Sequence, residues 1–584
     1  MSEPFDPVLV EVINNEMAAV TEEIAVVIWR SGQSGQLRTG DFATAICDAQ
    51  GRMIGHGFAA PFQLAIFEEL MKYVIASYGA DFRPGDVVLT NDPYSGMGHM
   101  PDFAVVVPIM LDGAPQGFCV SYSHHSDVGG RFPGSFSSEG RSSYEEGLRI
   151  PIVKLVEAGR MNQAVLDIVR ANVRVPEEWI GDVKAKIAGC ERGAEQAARI
   201  IARHGKANFA RACNHVMDHA EKSLRAAIAA TRDGTYRASY TMQEREGPIE
   251  LKLALEIAGD RMVADFTGSS AQVAYALNSP LSMTRAGVFG ALKCIIGPEL
   301  PMNCGFFRPV EVVAPAGSVL NPAFPAPVAG RAPVFFRIFD LVFAALAQAL
   351  PGRVPVVGEG GDALHFSGHA KDGQEVSFLD LYFGGWGARP TADGIDGVAP
   401  VFMGSYGSTS IEMLEAEQPV MIDGFGFVPD SAGAGRYRGS AGVYRQWRFL
   451  APGHVMVRTG RLEPAPGVEG GLPGTPAKTL VIRQGVATDI GGGTHVHIEV
   501  ATGDVIYHST AGAGGFGDPR SRSPELVAAD VRANIVSARS AEEIYAVAFR
   551  DGSLDPGLTG RARAAGDSRA QNSQTQNSQA QKAS

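Results

Sequence analysis

The amino-acid sequence predicts a mixed α/β (α+β) multidomain protein, with an N-terminal α/β region, a helical layer and a β-rich C-terminal part. Three observations lead there. Apolar residues recur at three-to-four spacing near the start and again, with charged i,i+4 pairs, across about 151–230. Short β-branched runs punctuated by Gly, Pro and Asp fill 416–510, and at 584 residues the chain exceeds what one compact core holds. We divide it into an α/β region at 1–150, a helical layer at 151–233, a central α/β domain at 234–415, a β-rich domain at 416–520, C-terminal helices at 521–560 and a tail at 561–584. The tail ends AQNSQTQNSQAQKAS, lacks the apolar side chains that offset ordering entropy, and is expected to be disordered.

Each element has its own reason. Val12, Ile13, Met17, Val20, Ile24, Val27 and Ile28 form one apolar stripe, which predicts a helix over 8–28, and a second follows at 61–78. Between them, DFATAICDAQGRMIGHG reads as two strands about the turn Asp48-Ala49-Gln50-Gly51, so Asp41 opens a strand. DVVLT from Asp86, FAVVVPIM from Phe103 and GFCVSY from Gly117 are short and β-branched enough to be strands. Asp112-Gly113 between the last two is a hairpin signal, and a turn there gives paired residues an index sum of about 225 to 228. Asp102 then faces 123–126. Further on, GTYRASYTM, ELKLALEI and RMVADFTG read as strands, while 281–296, 334–350 and SPELVAADVRANIV read as helices.

Composition excludes several classes. A formal net charge of −12 argues against a nucleic-acid partner, which a basic surface would serve. The start MSEPFDPVLVEV lacks the basic and apolar blocks of an export signal, and no run of about 18 apolar residues occurs, so a cytoplasmic protein without a membrane partner is expected. The six cysteines form no CxxC pair and read as reduced thiols.

The densest constellation of reactive side chains is NDPYSGMGHMPD at 91–102 with SYSHHSDVGG across the hairpin. Imidazole with carboxylate and no thiolate suits a zinc, manganese or iron(II) site. His99 and Asp102 are three apart, and the register brings His124 or His125 beside Asp102, so three ligands meet at one point. Asp92, Asp127 and Asp41 supply further carboxylates, of the kind that orient ligating imidazoles.

Rival signals are weaker. His215 and His219 share a helix face without the glutamate of an HExxH site and read as a solvated surface. His495 and His497 share a strand face with no close carboxylate. The Gly-rich stretches at 383–390 and 511–519 could cradle an anion with backbone amides, but neither fits a dinucleotide fingerprint, and turn duty is the better reading. No GxxxxGK[ST] loop and no GxSxG elbow occurs.

The motifs GDFATAI, PGDVVLTNDPYSGMGHMPD, HHSDVGGRFPGS, EEGLRIP, PMNCGFFRPVEV, PAPVAGRA, GGWGARPTADG, PDSAGAGRYRG and GGFGDP follow one another over nearly the whole chain. In this the sequence resembles the B (beta) subunits of the hydantoinase/oxoprolinase family, which include N-methylhydantoinase and caprolactamase subunits and are related to acetone carboxylase alpha subunits. The resemblance implies a metal site of Asp41, His99, Asp102 and His124, and a hydantoinase A/oxoprolinase-type partner that supplies ATP and Mg, in a hetero-oligomer such as a heterotetramer. It implies ATP-dependent hydrolysis of a small cyclic amide: a hydantoin, 5-oxoproline or a lactam. His125, Asp127 and Glu146 are the candidates for base or orienting group. The alternatives are a subunit of an ATP-dependent ketone carboxylase, of acetone or acetophenone type, and a non-catalytic scaffold stapled by its metal. One departure stands out: Arg38-Thr39-Gly40 precedes Asp41 where family members often carry Glu, an arrangement expected to add positive charge near the site.

Overall fold

Asp6 starts the first helix, α1 (Pro7–Ser31), by accepting from the N–H groups of Val8 and Leu9. Ile13, Met17, Val20, Ile24 and Ile28 are buried along it as the stripe predicts, whereas Val12 is 42% exposed. The computed structural model describes residues 6–564 except 80, 245, 371, 372, 374, 405 and 492.

After α2 (Gly35–Thr39) come β1 (Phe42–Asp48), β2 (Met53–His56), α3 (Pro61–Tyr78), β3 (Val87–Thr90), β4 (Asp102–Leu111), β5 (Ala114–His124), β6 (Val153–Glu157) and β7 (Arg160–Met161). The strands form one antiparallel sheet in the order β2-β1-β5-β4-β3-β6-β7. Asp102 pairs with His124 and Phe103 with Ser123, the register expected from the Asp112-Gly113 turn. A bulge between Ile109 and Met110 absorbs the mismatch nearer the turn. The helical reading from 151 is corrected at its start: VKLVE and RM hairpin about Ala158-Gly159 and extend the sheet.

Helices α4 (Gln163–Asn172), α5 (Pro176–His204) and α6 (Lys206–Ala229) follow. The middle one covers β4 and β5 and packs closely on α1, where a Cβ on Gly193 would lie 2.4 Å from Ile24 Cδ1. Next come β8 (Gly234–Met242), β9 (Ile249–Ala258), β10 (Arg261–Asp265), α7 (Leu281–Ile295), α8 (Cys304–Phe307), β11 (Val310–Val313) and α9 (Ala332–Ala349). One hydrophobic core runs through all of these, from Val10 to Tyr406. Although α9 is long and apolar enough to cross a membrane, it is mostly buried in that core.

Strands β12 (Asp362–His369) and β13 (Glu375–Tyr382) share a sheet with β16 (Gly453–Arg458) and β19 (His495–Val500), while β14 (Val420–Phe427), β15 (Val443–Phe449), β17 (Lys478–Arg483), β18 (Val486–Asp489) and β20 (Val505–Ser509) form another. A division at 415 therefore cuts through a sheet, because pairing between strands some ninety residues apart leaves no trace in local periodicity. Trp447, Phe449 and Ile506 of a second sheet pack on Phe366, Val455 and Ile498 of the first, forming a separate core. Residues 556–564 are helical, so order continues into the stretch expected to be disordered; 565–584 lie outside the described residues.

One buried cation ties the helical layer to the central hairpin. Lys186 on α5 donates to Phe103 O at 3.1 Å and Ser123 Oγ at 2.8 Å, and stands 2.9 Å from His125 Nε2. Burial brings its ammonium down to about 7, against a partial upward pull from Asp182. The unfolded chain keeps this proton to its ordinary value of 10.5, so the side chain's contribution to stability grows as pH rises between those values and is lost as pH falls through the lower one. The melting temperature of Lys186→Met relative to the unmodified protein should therefore decline as pH is raised from about 7 toward 10; a difference that stays flat across that range would contradict the burial argument.

Candidate metal centre

Three donor atoms converge where the loop before β4 meets the end of β5. Asn91 shapes that loop: its Nδ2 donates to Met100 O at 2.6 Å and Leu148 O at 2.7 Å, while its Oδ1 accepts from Ile150 N–H at 2.6 Å. Asp92 caps the turn at Pro93–Ser95, and Asp102 N–H donates to His99 O at 3.0 Å. His99 Nε2 then lies 3.1 Å from His124 Nδ1 and 3.1 Å from Asp102 Oδ1, and the last two atoms are 3.3 Å apart. All three residues are buried, and among the described residues they form the one such metal-capable group of His, Cys, Asp and Glu.

The donors are oriented from behind. His99 Nδ1 faces Ala329 O at 3.2 Å, which places the ring proton there and leaves Nε2 a lone pair. Arg331 holds Asp102 Oδ2 at 2.8 Å, leaving Oδ1 for the convergence point. Glu146 Oε1 accepts from Val328 and Ala329 N–H at 2.6 and 2.7 Å and so sets the segment that carries the Ala329 carbonyl. Gly98 makes room for this packing: a Cβ there would lie 2.5 Å from Asp102 Oδ2 and 3.0 Å from Arg331 NH2.

Electrostatics agree with the geometry. Burial, helped by the Arg331 charge, brings His99 down to about 3, which keeps it neutral and able to ligate. For Asp102, burial alone would raise the carboxyl, but His99 and Arg331 together hold it well below the usual carboxylate range. Metal–ligand bonds of about 2.0–2.2 Å put donors roughly 2.8–3.1 Å apart in octahedral and 3.3–3.6 Å apart in tetrahedral geometry. The triangle's edges lie between the two, so the donor set fits a divalent ion.

The triangle borders a cavity of about 50 Å³. Asp41, Tyr122, Phe136, Arg331, Tyr406 and Arg458 line it too. Asp41 stands outside the three-atom cluster; its Oδ1 accepts from Gln63 Nε2 at 3.3 Å and from the Tyr406 hydroxyl, and burial raises its pKa. Arg458 is buried between the rings of Phe136 and Phe336, 5.5 and 5.7 Å from their centroids, and its Nε and NH2 have no hydrogen-bond partner.

The sequence-based candidates separate accordingly. His125 follows the end of β5 and, by strand alternation, points to the opposite face from His124, toward Lys186, Phe103 and Trp179. It does not line the cavity. Asp127 spends both oxygens on the N–H groups of Gly129, Gly134 and Arg174 and on the Arg174 guanidinium, organising the loop that carries Phe136 onto His99 and His124. Glu146 is pushed up to about 8 by burial and acts through Val328 and Ala329 rather than at the cavity. Arg38 pairs with Glu417 at 2.9 Å and is absent from the cavity wall, so the expected extra positive charge is neutralised elsewhere.

His215 and His219 are exposed on α6, whereas His497 Nδ1 meets His454 Nε2 at 3.1 Å. Four polar or charged residues of the cavity wall escaped the sequence reading: Tyr122, Arg331, Tyr406 and Arg458. Only Tyr122 carried a usable signal, since it lies two residues before His124 on the same strand and so shares its face.

Known proteins share both the sequence pattern and the fold. Residues 6–519 match the family model described as hydantoinase B/oxoprolinase. The B-type subunit of a putative D-/L-hydantoinase from Pseudomonas sp. (strain NS671) is 28% identical over 580 residues, covering 94% of this chain and 96% of that protein. The crystal structure of the ATP-dependent caprolactamase from Pseudomonas jessenii superposes with a TM-score of 0.88 at 26% identity, covering 96% of this chain and 100% of that one. A nucleotide-free acetone carboxylase structure, at 20% identity and a TM-score of 0.89, shares the fold, with 97% of this chain and 84% of that one covered. A match over most of the sequence and a shared fold lead to one conclusion: the chain belongs to the hydantoinase B/oxoprolinase family.

Proposed function

We propose that this chain is the metal-bearing catalytic subunit of a cytoplasmic ATP-dependent cyclic amide hydrolase, opening hydantoin, 5-oxoproline or lactam rings. Its partner is an ATP-binding subunit of the hydantoinase A/oxoprolinase type in a hetero-oligomer. The observation that carries this reading is the triangle of His99, Asp102 and His124 beside an unpartnered buried guanidinium, Arg458. The hydantoinase and caprolactamase relatives support the substrate class.

An unstrained amide resists water because attack breaks its resonance, so its carbonyl must first be activated. This chain has no phosphate loop, and activation with ATP and Mg falls to the partner. His99, Asp102 and His124 would hold a zinc, manganese or iron ion, with Asp41 across the cavity as the proposed fourth ligand, and the bound ion would supply the Lewis acidity that makes water a competent nucleophile near neutral pH. The rest is work for the chain's own groups. Arg331 fixes which Asp102 oxygen faces the ion, and Ala329 O keeps His99 in its ligating tautomer. Arg458 presents its unpaired N–H groups to the negative charge that gathers on the carbonyl oxygen under attack, in a small cavity walled largely by aromatic and apolar side chains. His125 and Asp127 position strand and loop, and Glu146 positions His99.

Purified protein should contain about one transition-metal ion per chain, and His99→Ala or Asp102→Ala should lose it while staying folded. Gly98→Ala and Arg331→Met should weaken metal binding by about 10- to 100-fold, as losses of supporting contacts do; elemental analysis finding no metal in the unmodified protein would sink the reading. For catalysis, Arg458→Met should lower kcat/KM by about 100-fold with the metal retained. Co-expressed with its ATP-binding neighbour and given a lactam or hydantoin with Mg and ATP, the protein should open the ring and release ADP. Ring opening by the isolated chain without ATP would overturn the division of labour, and a carboxylated product from bicarbonate and a ketone would replace hydrolysis with carboxylation.

A further inference from the structure

A second cavity, of about 370 Å³, lies beyond one wall of the metal centre. Phe336 lines the metal cavity and Phe402 lines the second, and their rings stack at 4.7 Å, so a double aromatic layer separates the two spaces. Four arginines line the second cavity (Arg337, Arg353, Arg389 and Arg461) against a single acid, Asp340. This is a site the proposed function does not use.

Its charges are fixed in place. Asp340 Oδ2 lies 2.8 Å from Arg337 NH1 and 2.5 Å from Arg461 NH2, so one carboxylate holds two guanidiniums. Arg337 also donates to Gly460 O at 3.1 Å and stacks over Tyr240, whose hydroxyl donates to Glu463. Arg461 donates through Nε to Gly358 O at 3.0 Å. Its side chain is 1% exposed, and its NH1 is buried without a hydrogen-bond partner. An unpaired buried guanidinium N–H is costly unless something accepts from it.

The Gly-rich stretch at 383–390, an anion-cradle candidate by sequence, forms part of the wall, with several of its amides already spent on carbonyls. Trp386, Ala388 and Arg389 N–H already donate to Ile395, Gly514 and Ala392 carbonyls. The positive charge comes from side chains instead, and Arg389 reaches Asp393 O through Nε and NH2. Ile295, Phe339, Phe343, Trp386, Val401 and Phe402 supply the apolar remainder of the lining.

We propose that this cavity is a second binding site, for an organic oxyanion: a carboxylate or phosphate group carried on an apolar or aromatic body. The guanidiniums of Arg461 and Arg337 take the anion, with Arg353 and Arg389 adding positive charge, and the aromatic wall takes the body. A guanidinium whose geometry is set in advance by Asp340 matches the planar, two-oxygen edge that carboxylates and phosphates share.

The test is calorimetric titration of the full chain with benzoate, phenyl phosphate and inorganic phosphate, each with and without EDTA. The expected result is saturable binding of benzoate, phenyl phosphate or both, stronger than that of inorganic phosphate and unchanged by EDTA; which of the two binds more tightly identifies the headgroup. Arg461→Gln should weaken it at least about tenfold, the loss of one charge-assisted hydrogen bond. Arg353 is exposed, so Arg353→Ser tests the same point without threatening the fold, and a fall of about threefold is expected for a charge at the rim. Absence of saturable binding by both organic anions would overturn the proposal, as would equal affinity in both arginine variants. Binding that EDTA abolishes would place the anion in the metal cavity and equally refute it.

Discussion

The pairing of Asp102 with His124 across one antiparallel hairpin is the constraint on which the candidate centre depends. Side chains alternate along a strand, so a slip of one residue would turn His124 toward α5 and bring His125 to the cavity. What resists the slip is the difference between the two faces. On one, Phe103, Ser123 and His125 meet Lys186 and Trp179. On the other, Asp102, Tyr122 and His124 meet the cavity. Neither set of side chains satisfies the other's surroundings, so the register that packs the core also composes the donor triangle.

The charges around that triangle form a graded arrangement. Asp102 is the one donor with a formal charge, and Arg331 secures one of its oxygens. His99 is kept neutral by burial and by the same arginine. Glu146, pushed up by burial, spends one oxygen on two backbone N–H groups and thereby works at a remove from the centre. Arg458 is left with unsatisfied donors at Nε and NH2, and Arg331 with one at Nε, in the wall of a small, largely aromatic space. A buried group left without a partner in an otherwise well-paired site is where a ligand's charge belongs.

What the sequence made legible was local. The hairpin turn located the register, the 3.6-residue stripe located α1, and the His99–Asp102 spacing pointed to the centre. The opposite orientation of His125 was also within reach, because strand alternation alone separates it from His124. The β6–β7 hairpin was missed because five residues of strand beside long helices carry too little periodicity to register. Arg331, Tyr406 and Arg458 were illegible for another reason. Each comes from a segment more than 200 residues away from the hairpin, and no local pattern marks an arginine that will end up buried. The sheet shared by β12 and β16 was hidden by the same distance.

The contrast between near donors and distant supports has a consequence for biosynthesis. His99, Asp102 and His124 leave the ribosome close together, but Ala329 and Arg331, which fix their tautomer and orientation, follow about 230 residues later. At roughly 5–20 residues per second of synthesis, that is an interval of tens of seconds. Throughout it the three donors are present without their final geometry, and raw affinity among first-row ions favours whichever binds N/O ligands most tightly. The hairpin alone therefore cannot discriminate among ions by shape, because the orientation of His99 and Asp102 is set only when the segment carrying Ala329 and Arg331 docks.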